Sequence, residues 1–161
     1  MQRSSDKTIL VSACLLGLRT RFDGGAKRRH GVVRLQERYR LIPVCPEQLG
    51  GLSTPRPPAE IQGGSGEAVL AGDSRVLTKE GADVTANFVR GAEECLAVAR
   101  LFGAAGALFK ARSPSCSSRQ SYDGSFSGRL VPGMGVTAAL LVRHGLELLS
   151  EDDLAAGRDF E

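Results

Sequence analysis

The run Arg40-Leu41-Ile42-Pro43-Val44-Cys45-Pro46-Glu47 decides how this chain is read. Its apolar part reads as the end of a buried strand. A cysteine and a carboxylic acid follow two residues apart, with a proline between them. Pro46 has no amide hydrogen and a fixed φ, so the ladder of the strand stops there. The same arrangement occurs twice more. Ile9-Leu10-Val11-Ser12-Ala13-Cys14 is one case. Ala107-Leu108-Phe109-Lys110, followed by Ala111-Arg112-Ser113-Pro114-Ser115-Cys116, is the other. Three cysteines, each just past a predicted strand, form the central pattern.

Working outward, residues 8–13, 41–45, 106–111 and 146–149 read as strands from their continuous apolar runs. Asp83-Val84-Thr85 opens a long helix to about Phe102, with Phe88, Ala92, Cys95, Leu96 and Ala99 at helical spacing on one face. Cys95 follows neither strand nor turn, and reads as a small core residue. A helix is expected around residues 30–39, a small hairpin over 67–78, and a polar loop from Ser113 to Gly128. Residues 49–61 are too rich in Gly and Pro for regular structure; they read as a functional loop holding Arg56 and Glu60, or as a rigid cover over the sheet edge. Gly133-Met134-Gly135-Val136-Thr137-Ala138 opens a second helix; its spacing loosely mimics a dinucleotide fingerprint, but no predicted strand directly precedes it. Ser150-Glu151-Asp152-Asp153-Leu154 reads as a capped helix start. Strands alternating with helices predict an α/β fold: a single three-layer, Rossmann-like domain over residues 1–161, its core about 8–150, with a mostly parallel sheet. Sites in such sheets form beyond the carboxyl ends of the strands, where all three strand-end cysteines would meet.

The 161 residues are 42% hydrophobic and 24% charged, ordinary for a soluble globular domain. No apolar run approaches a membrane span, and the first residues lack the apolar core of a signal peptide. A cytoplasmic location is expected, where thiols stay reduced and cysteines point to metal or catalysis before disulfides. A net charge of +3 does not by itself specify a nucleic-acid partner, and the absence of Trp leaves little stacking surface for single strands. Arg19, Arg21, Lys27, Arg28, Arg29, Arg34, Arg38 and Arg40 form either a solvated helix face or a phosphate- or RNA-facing patch; His30 among them reads as a surface residue.

The chain has no Cys-x-x-Cys pair, which removes the usual zinc and thioredoxin-like signals. Three thiolates without a fourth protein ligand suit a [4Fe-4S] cluster with one iron open. Small buried cysteines without chemistry are the alternative on spacing alone.

The residues also support a resemblance. The segments Val11-Ser12-Ala13-Cys14-Leu15-Leu16-Gly17, Arg21-Phe22-Asp23-Gly24, Cys45-Pro46-Glu47-Gln48-Leu49-Gly50-Gly51-Leu52, Thr54-Pro55-Arg56-Pro57-Pro58-Ala59-Glu60-Ile61, Asp83-Val84-Thr85, Ser113-Pro114-Ser115-Cys116, Tyr122-Asp123-Gly124 and Gly135-Val136-Thr137-Ala138 resemble, in order, the motif series of the TudS-like family of thiouracil desulfidases, also known through YbbK-like proteins and formerly a domain of unknown function. The resemblance covers about residues 8–150.

It implies a [4Fe-4S] cluster held by Cys14, Cys45 and Cys116, whose open iron takes the thiocarbonyl sulfur of a small thiobase such as 2-thiouracil. It implies a catalytic acid and serine that map onto Glu47 and Ser113. Asp23 and Arg56 are candidates for orienting substrate, or for pinning the Pro-rich loop. The expected reaction replaces sulfur by oxygen, giving uracil and hydrosulfide with no net redox change. Thiouridine in tRNA is the alternative substrate, and a non-catalytic cluster- or metal-binding module the alternative function. The chain departs from the family pattern at Ser117, where relatives tend to have glycine.

Overall fold

In the computed structural model the described residues are 7–161; residues 1–6, which hold most of the stretch read for a leader, lie outside them. In chain order the elements are β1 (Thr8–Ser12), α1 (His30–Val33), β2 (Arg40–Val44), α2 (Pro46–Leu49), β3 (Ala59–Ile61), α3 (Gly66–Leu70), β4 (Val76–Thr78), α4 (Thr85–Phe102), β5 (Ala104–Phe109), β6 (Gln120–Tyr122), β7 (Leu130–Pro132), α5 (Val136–Arg143), β8 (Glu147–Ser150) and α6 (Glu151–Ala155). The central sheet has the order β2-β1-β5-β8, and its three pairings are all parallel.

Alternation along the strands sets the layers. Leu10, Val44, Ala107 and Phe109 face one apolar cluster with Phe88, Ala92, Cys95 and Leu96 of α4 and Val136, Leu140 and Leu141 of α5. Ile9, Val11, Leu108 and Leu149 face the other, with Leu15, Val32 and Leu35, and with Leu154 of α6 packed against it. Every residue of β1 is buried, as expected of a strand covered on both faces. The result is the expected α/β three-layer arrangement. The chain leaves β1 toward β2 on one side and reaches β5 on the other, so the strand order reverses between β1 and β5. A switch point of this kind opens a crevice at the carboxyl ends of the strands.

Several expectations need correction. The segment 67–78 is not a hairpin: Gly66–Leu70 is a helix, capped by the Ser65 hydroxyl accepting from Ala68 N, and β4 pairs antiparallel with β3. The Pro-rich stretch therefore ends in a strand. The helix expected over 30–39 is one turn of α-helix continued by a 3-10 turn at Arg34–Glu37. The loop 113–128 contains β6, and β7 directly precedes the Gly133–Ala138 segment, but the two form a separate antiparallel ribbon. These strands are three residues long, too short to show a period against the surrounding turn residues. The long helix and the terminal capping box, in which Ser150 and Asp153 bond reciprocally, form as read.

Candidate active site

A cavity of about 480 Å³ lies beyond the carboxyl ends of β1, β2 and β5, and Cys14, Cys45 and Cys116 all line it. Cys14 sits in the 3-10 turn that continues β1. Cys45 follows β2 directly and is the N-cap of α2, with Pro46 at the first helical position, where its missing N–H costs nothing. The register Ser12↔Val44 puts these two cysteines at neighbouring strand ends. Cys116 arrives from the loop after β5 and is buried.

Close packing fixes α2, and with it Cys45 and Glu47. A Cβ on Gly91 of α4 would lie 2.0 Å from the Pro46 carbonyl oxygen, and one on Gly50 would lie 2.1 Å from that of Asn87. Only glycines allow this approach of two backbones. Asn87 Nδ2 donates to Gly50 O at 2.9 Å and seals the contact.

Glu47 is held on both carboxylate oxygens. Arg56 Nε donates to Oε1 at 3.0 Å, and Ser115 Oγ donates to Oε2 at 3.1 Å. Ser113 Oγ accepts from the amides of Ser115 and Cys116 at 3.3 and 3.1 Å and lies 3.1 Å from Ser115 Oγ. With its acceptor side taken and the Ser115 proton aimed at Glu47, the Ser113 proton points to Ser115. The two hydroxyls thus form a directed chain ending on the Glu47 carboxylate. Ser115 Oγ also lies 3.7 Å from Cys116 Sγ.

Arg56, 8% exposed, spends its remaining donors on Thr20 O, Ser53 O and Thr54 Oγ1, and its Nη2 lies 3.9 Å from Cys45 Sγ. It ties the Pro-rich stretch and the 20s loop to Glu47. Asp23 is not part of the cavity wall: its exposed carboxylate accepts from Gly25 N at 2.9 Å and lies 3.6 Å from Arg21. Glu60 does reach the wall, and accepts from Gly124 N and Phe126 N, holding the β6–β7 ribbon beside it. Of the basic series, Arg21 and Lys27 line the cavity, and Arg19, Arg28, Arg29, Arg34, Arg38 and Arg40 are exposed. Ser117 is buried, bonded through its hydroxyl to Ser121 at 2.7 Å, so the residue after Cys116 anchors the loop to β6.

Burial raises the Cys14 thiol to about 11, opposed by the Lys110 ammonium, and the Cys116 thiol to about 12, opposed by hydrogen bonds from Ser12 and Ser115. Buried thiols of this kind ionise only beside a positive partner, and metal coordination deprotonates them outright. Among the described residues no three His, Cys, Asp or Glu side chains converge on a single-ion site, and no histidine lines the cavity. Three soft thiol donors spread around one cavity fit an iron–sulfur group better than a single zinc ion.

Ser115, Lys110 and Ser12 escaped the sequence reading. Ser115 stands next to Cys116 in the quoted motif, but serines two apart around a proline look equivalent until the loop is folded. Lys110 and Ser12 occupy strand ends, where polar residues in otherwise apolar runs are the usable signal.

A doubly covered parallel sheet with thiols and a held carboxylate at its switch point defines a cofactor-bearing α/β enzyme class. Comparison with known proteins makes this particular: residues 9–153 match the model of the family described as 2-thiouracil desulfurase, and the chain belongs to that family. It is 44% identical over 146 residues to the uncharacterized protein YbbK of Bacillus subtilis (strain 168), covering 91% of this chain and 97% of that protein. A solved structure of the [4Fe-4S]-dependent thiouracil desulfidase TudS superposes with a TM-score of 0.82 at 44% identity, over 94% of this chain and 95% of the other. Among the described residues no helix is long and apolar enough to cross a membrane.

Proposed function

We propose that this chain is a desulfidase that replaces the sulfur of a thiolated pyrimidine base such as 2-thiouracil by oxygen, giving uracil and hydrosulfide. The single observation carrying this reading is the meeting of three strand-end thiols and a doubly hydrogen-bonded carboxylate around one cavity. Cys14, Cys45 and Cys116 would hold a [4Fe-4S] cluster with one iron left open. When bound, that cluster supplies a Lewis acid with a preference for sulfur donors.

The chain's own residues handle water and protons. Glu47, oriented by Arg56 and Ser115, takes a proton from the water that adds to the C=S carbon. The oxygen of that water becomes the new carbonyl oxygen, the sulfur leaves as hydrosulfide, and the remaining proton is released, so no electron is gained or lost. The Ser113–Ser115 chain, whose protons run toward Glu47, keeps that carboxylate oriented toward the attacking water, and the proton Glu47 takes passes on to the departing sulfur. Arg56 acts as a positioning residue in this scheme, since its donors are committed to protein acceptors. The exposed Asp23 fixes the 20s loop through Gly25.

The test is Glu47→Gln after anaerobic cluster reconstitution. Iron and acid-labile sulfide should match wild type, while thiouracil turnover falls by about 10²–10⁴-fold. Undiminished turnover removes Glu47 from the mechanism. A fully loaded wild type that releases no hydrosulfide from thiobases favours the non-catalytic module instead.

A further inference from the structure

The loop that brings Cys116 into the cavity is fastened to the first turn of α6 by three successive acids. Lys110 Nζ lies 3.0 Å from Glu151 Oε1, Arg112 Nη1 lies 3.0 Å from Asp152 Oδ2, and Arg119 Nη2 lies 2.6 Å from Asp153 Oδ1. Glu151 also accepts from Ala111 N at 2.8 Å. The first of these pairs differs from the others. The second and third place exposed arginines on the surface, whereas the Lys110 side chain is 20% exposed and Glu151 only 4%. Lys110 lines the cavity; Glu151 stands behind it, outside the lining. The desulfidase scheme uses neither.

Register places Lys110 beside Cys14 on the same cavity wall. β1 and β5 are parallel neighbours with Val11 opposite Leu108, so Lys110 comes level with Ala13, next to Cys14. Lys110 N donates to Ser12 Oγ at 2.9 Å, which locks the two strand ends together. Lys110 Nζ also donates to Ala111 O at 2.9 Å, which fixes its direction. Among the charges that bear on the Cys14 thiol, that of Lys110 is the largest and favours the thiolate. The other cation that bears on Cys14, Arg21, is drawn toward exposed Asp23, and Arg56 lies instead beside Cys45, its Nη2 3.9 Å from Sγ.

We propose that Lys110, held by Glu151, is a positioning residue that supplies the counter-charge to Cys14 and so sets how tightly the cluster is kept and at what potential it is reduced. This inference rests on reading Cys14, Cys45 and Cys116 as ligands. Three thiolates give the assembly a negative charge in a poorly solvated cavity, and a fixed cation beside one of them stabilises it. A nearby positive charge also favours the more negative, reduced form, since net charge around a cluster is one of the levers on its potential.

The experiment compares wild type, Lys110→Met, Lys110→Arg and Glu151→Gln after anaerobic reconstitution. It reads iron per chain, the rate of cluster loss to a chelator, and the midpoint potential from an EPR-monitored titration. Lys110→Met should weaken retention by about 10–100-fold and move the potential negative. Glu151→Gln, which removes the negative charge behind the lysine, should move it positive, and Lys110→Arg should stay near wild type. Opposite signs in the two charge-removing variants are something that loosened packing alone does not produce. Wild-type potential and retention in Lys110→Met, or shifts of the same sign in both variants, overturn the inference. Should Lys110→Met not fold, the sign for Glu151→Gln decides: positive supports the counter-charge, negative or unchanged overturns it. A wild type that takes up no iron defeats the ligand assignment itself, a result distinct from either.

Discussion

Cys95 and the three strand-end cysteines occupy two regions of one continuous interior. Cys95 sits on α4 with no exposure, in the same apolar cluster as Cys116, and close enough to Cys116 and Cys45 for their charges to act on it. Burial raises its thiol strongly, as it raises those of Cys14 and Cys116. Burial alone does not separate the two regions, because Cys116 is buried like Cys95 while Cys14 and Cys45 are half-buried. Cys14, Cys45 and Cys116 stand where the backbone leaves the sheet and faces a cavity, with donors arranged around them; Cys95 stands on a helix face with apolar neighbours. A thiol becomes a candidate ligand through the direction its backbone gives it.

Substitutions can break this comparison in order of size. Changing Cys14, Cys45 or Cys116 to Ser should each abolish near-stoichiometric iron and sulfide after reconstitution, while Cys95→Ser should load like wild type. Equal loss in all four would erase the distinction. Arg56→Met should come next in size. It leaves the Glu47 carboxylate, 16% exposed, with Ser115 as its remaining partner, and breaking a buried pair costs about 3–5 kcal/mol, readable by chemical denaturation. A loss below 1 kcal/mol would show that the pair is not what holds the Pro-rich stretch.

Cys95→Ser should cost about 1–3 kcal/mol, the expense of burying a hydroxyl among apolar groups. Its value as a control lies in that combination of lower stability and full cluster loading. The smallest effect belongs at the far edge of the fold, where Asp159 accepts from Arg38 and Tyr39. The Arg38 hydrogen bond holds the Asp159 carboxyl below its ordinary value of 3.8. Its contribution is thus fully present above about pH 4 and is lost as the pH falls through the lowered folded value. Because the pair is exposed, Asp159→Asn should cost less than about 1 kcal/mol at pH 7 and leave cluster loading untouched. A larger change in loading would tie this edge to the cleft.

How far the sequence could be read depended on where its partners lay. The four central strands, α4 with its buried face, and the α6 capping box were legible, because each is announced by residues within one local window. The ribbons β3–β4 and β6–β7 were not: Ile61 pairs with Val76 and Ser121 with Val131, through strands of three residues, too short to show a period. The same limit applied within the site. Cys45 and Glu47 are separated only by Pro46 and were visible as a pair. The roles of Ser115, Lys110 and Arg56 depend on contacts with Glu47, Glu151 and Thr20, which local periodicity cannot see.

By itself, then, the sequence determined a parallel α/β fold and placed three cysteines and an acid at strand ends, since hydrophobic runs and proline breaks act locally on the backbone. Only the tertiary structure decided which serine meets Glu47, that Arg56 is consumed in holding it, that Asp23 stands away from the cavity, and that Lys110 joins the cavity wall beside Cys14. Those outcomes depend on strand register, on the glycine-mediated approach of α2 to α4, and on the acids of α6, which act between segments far apart in the chain.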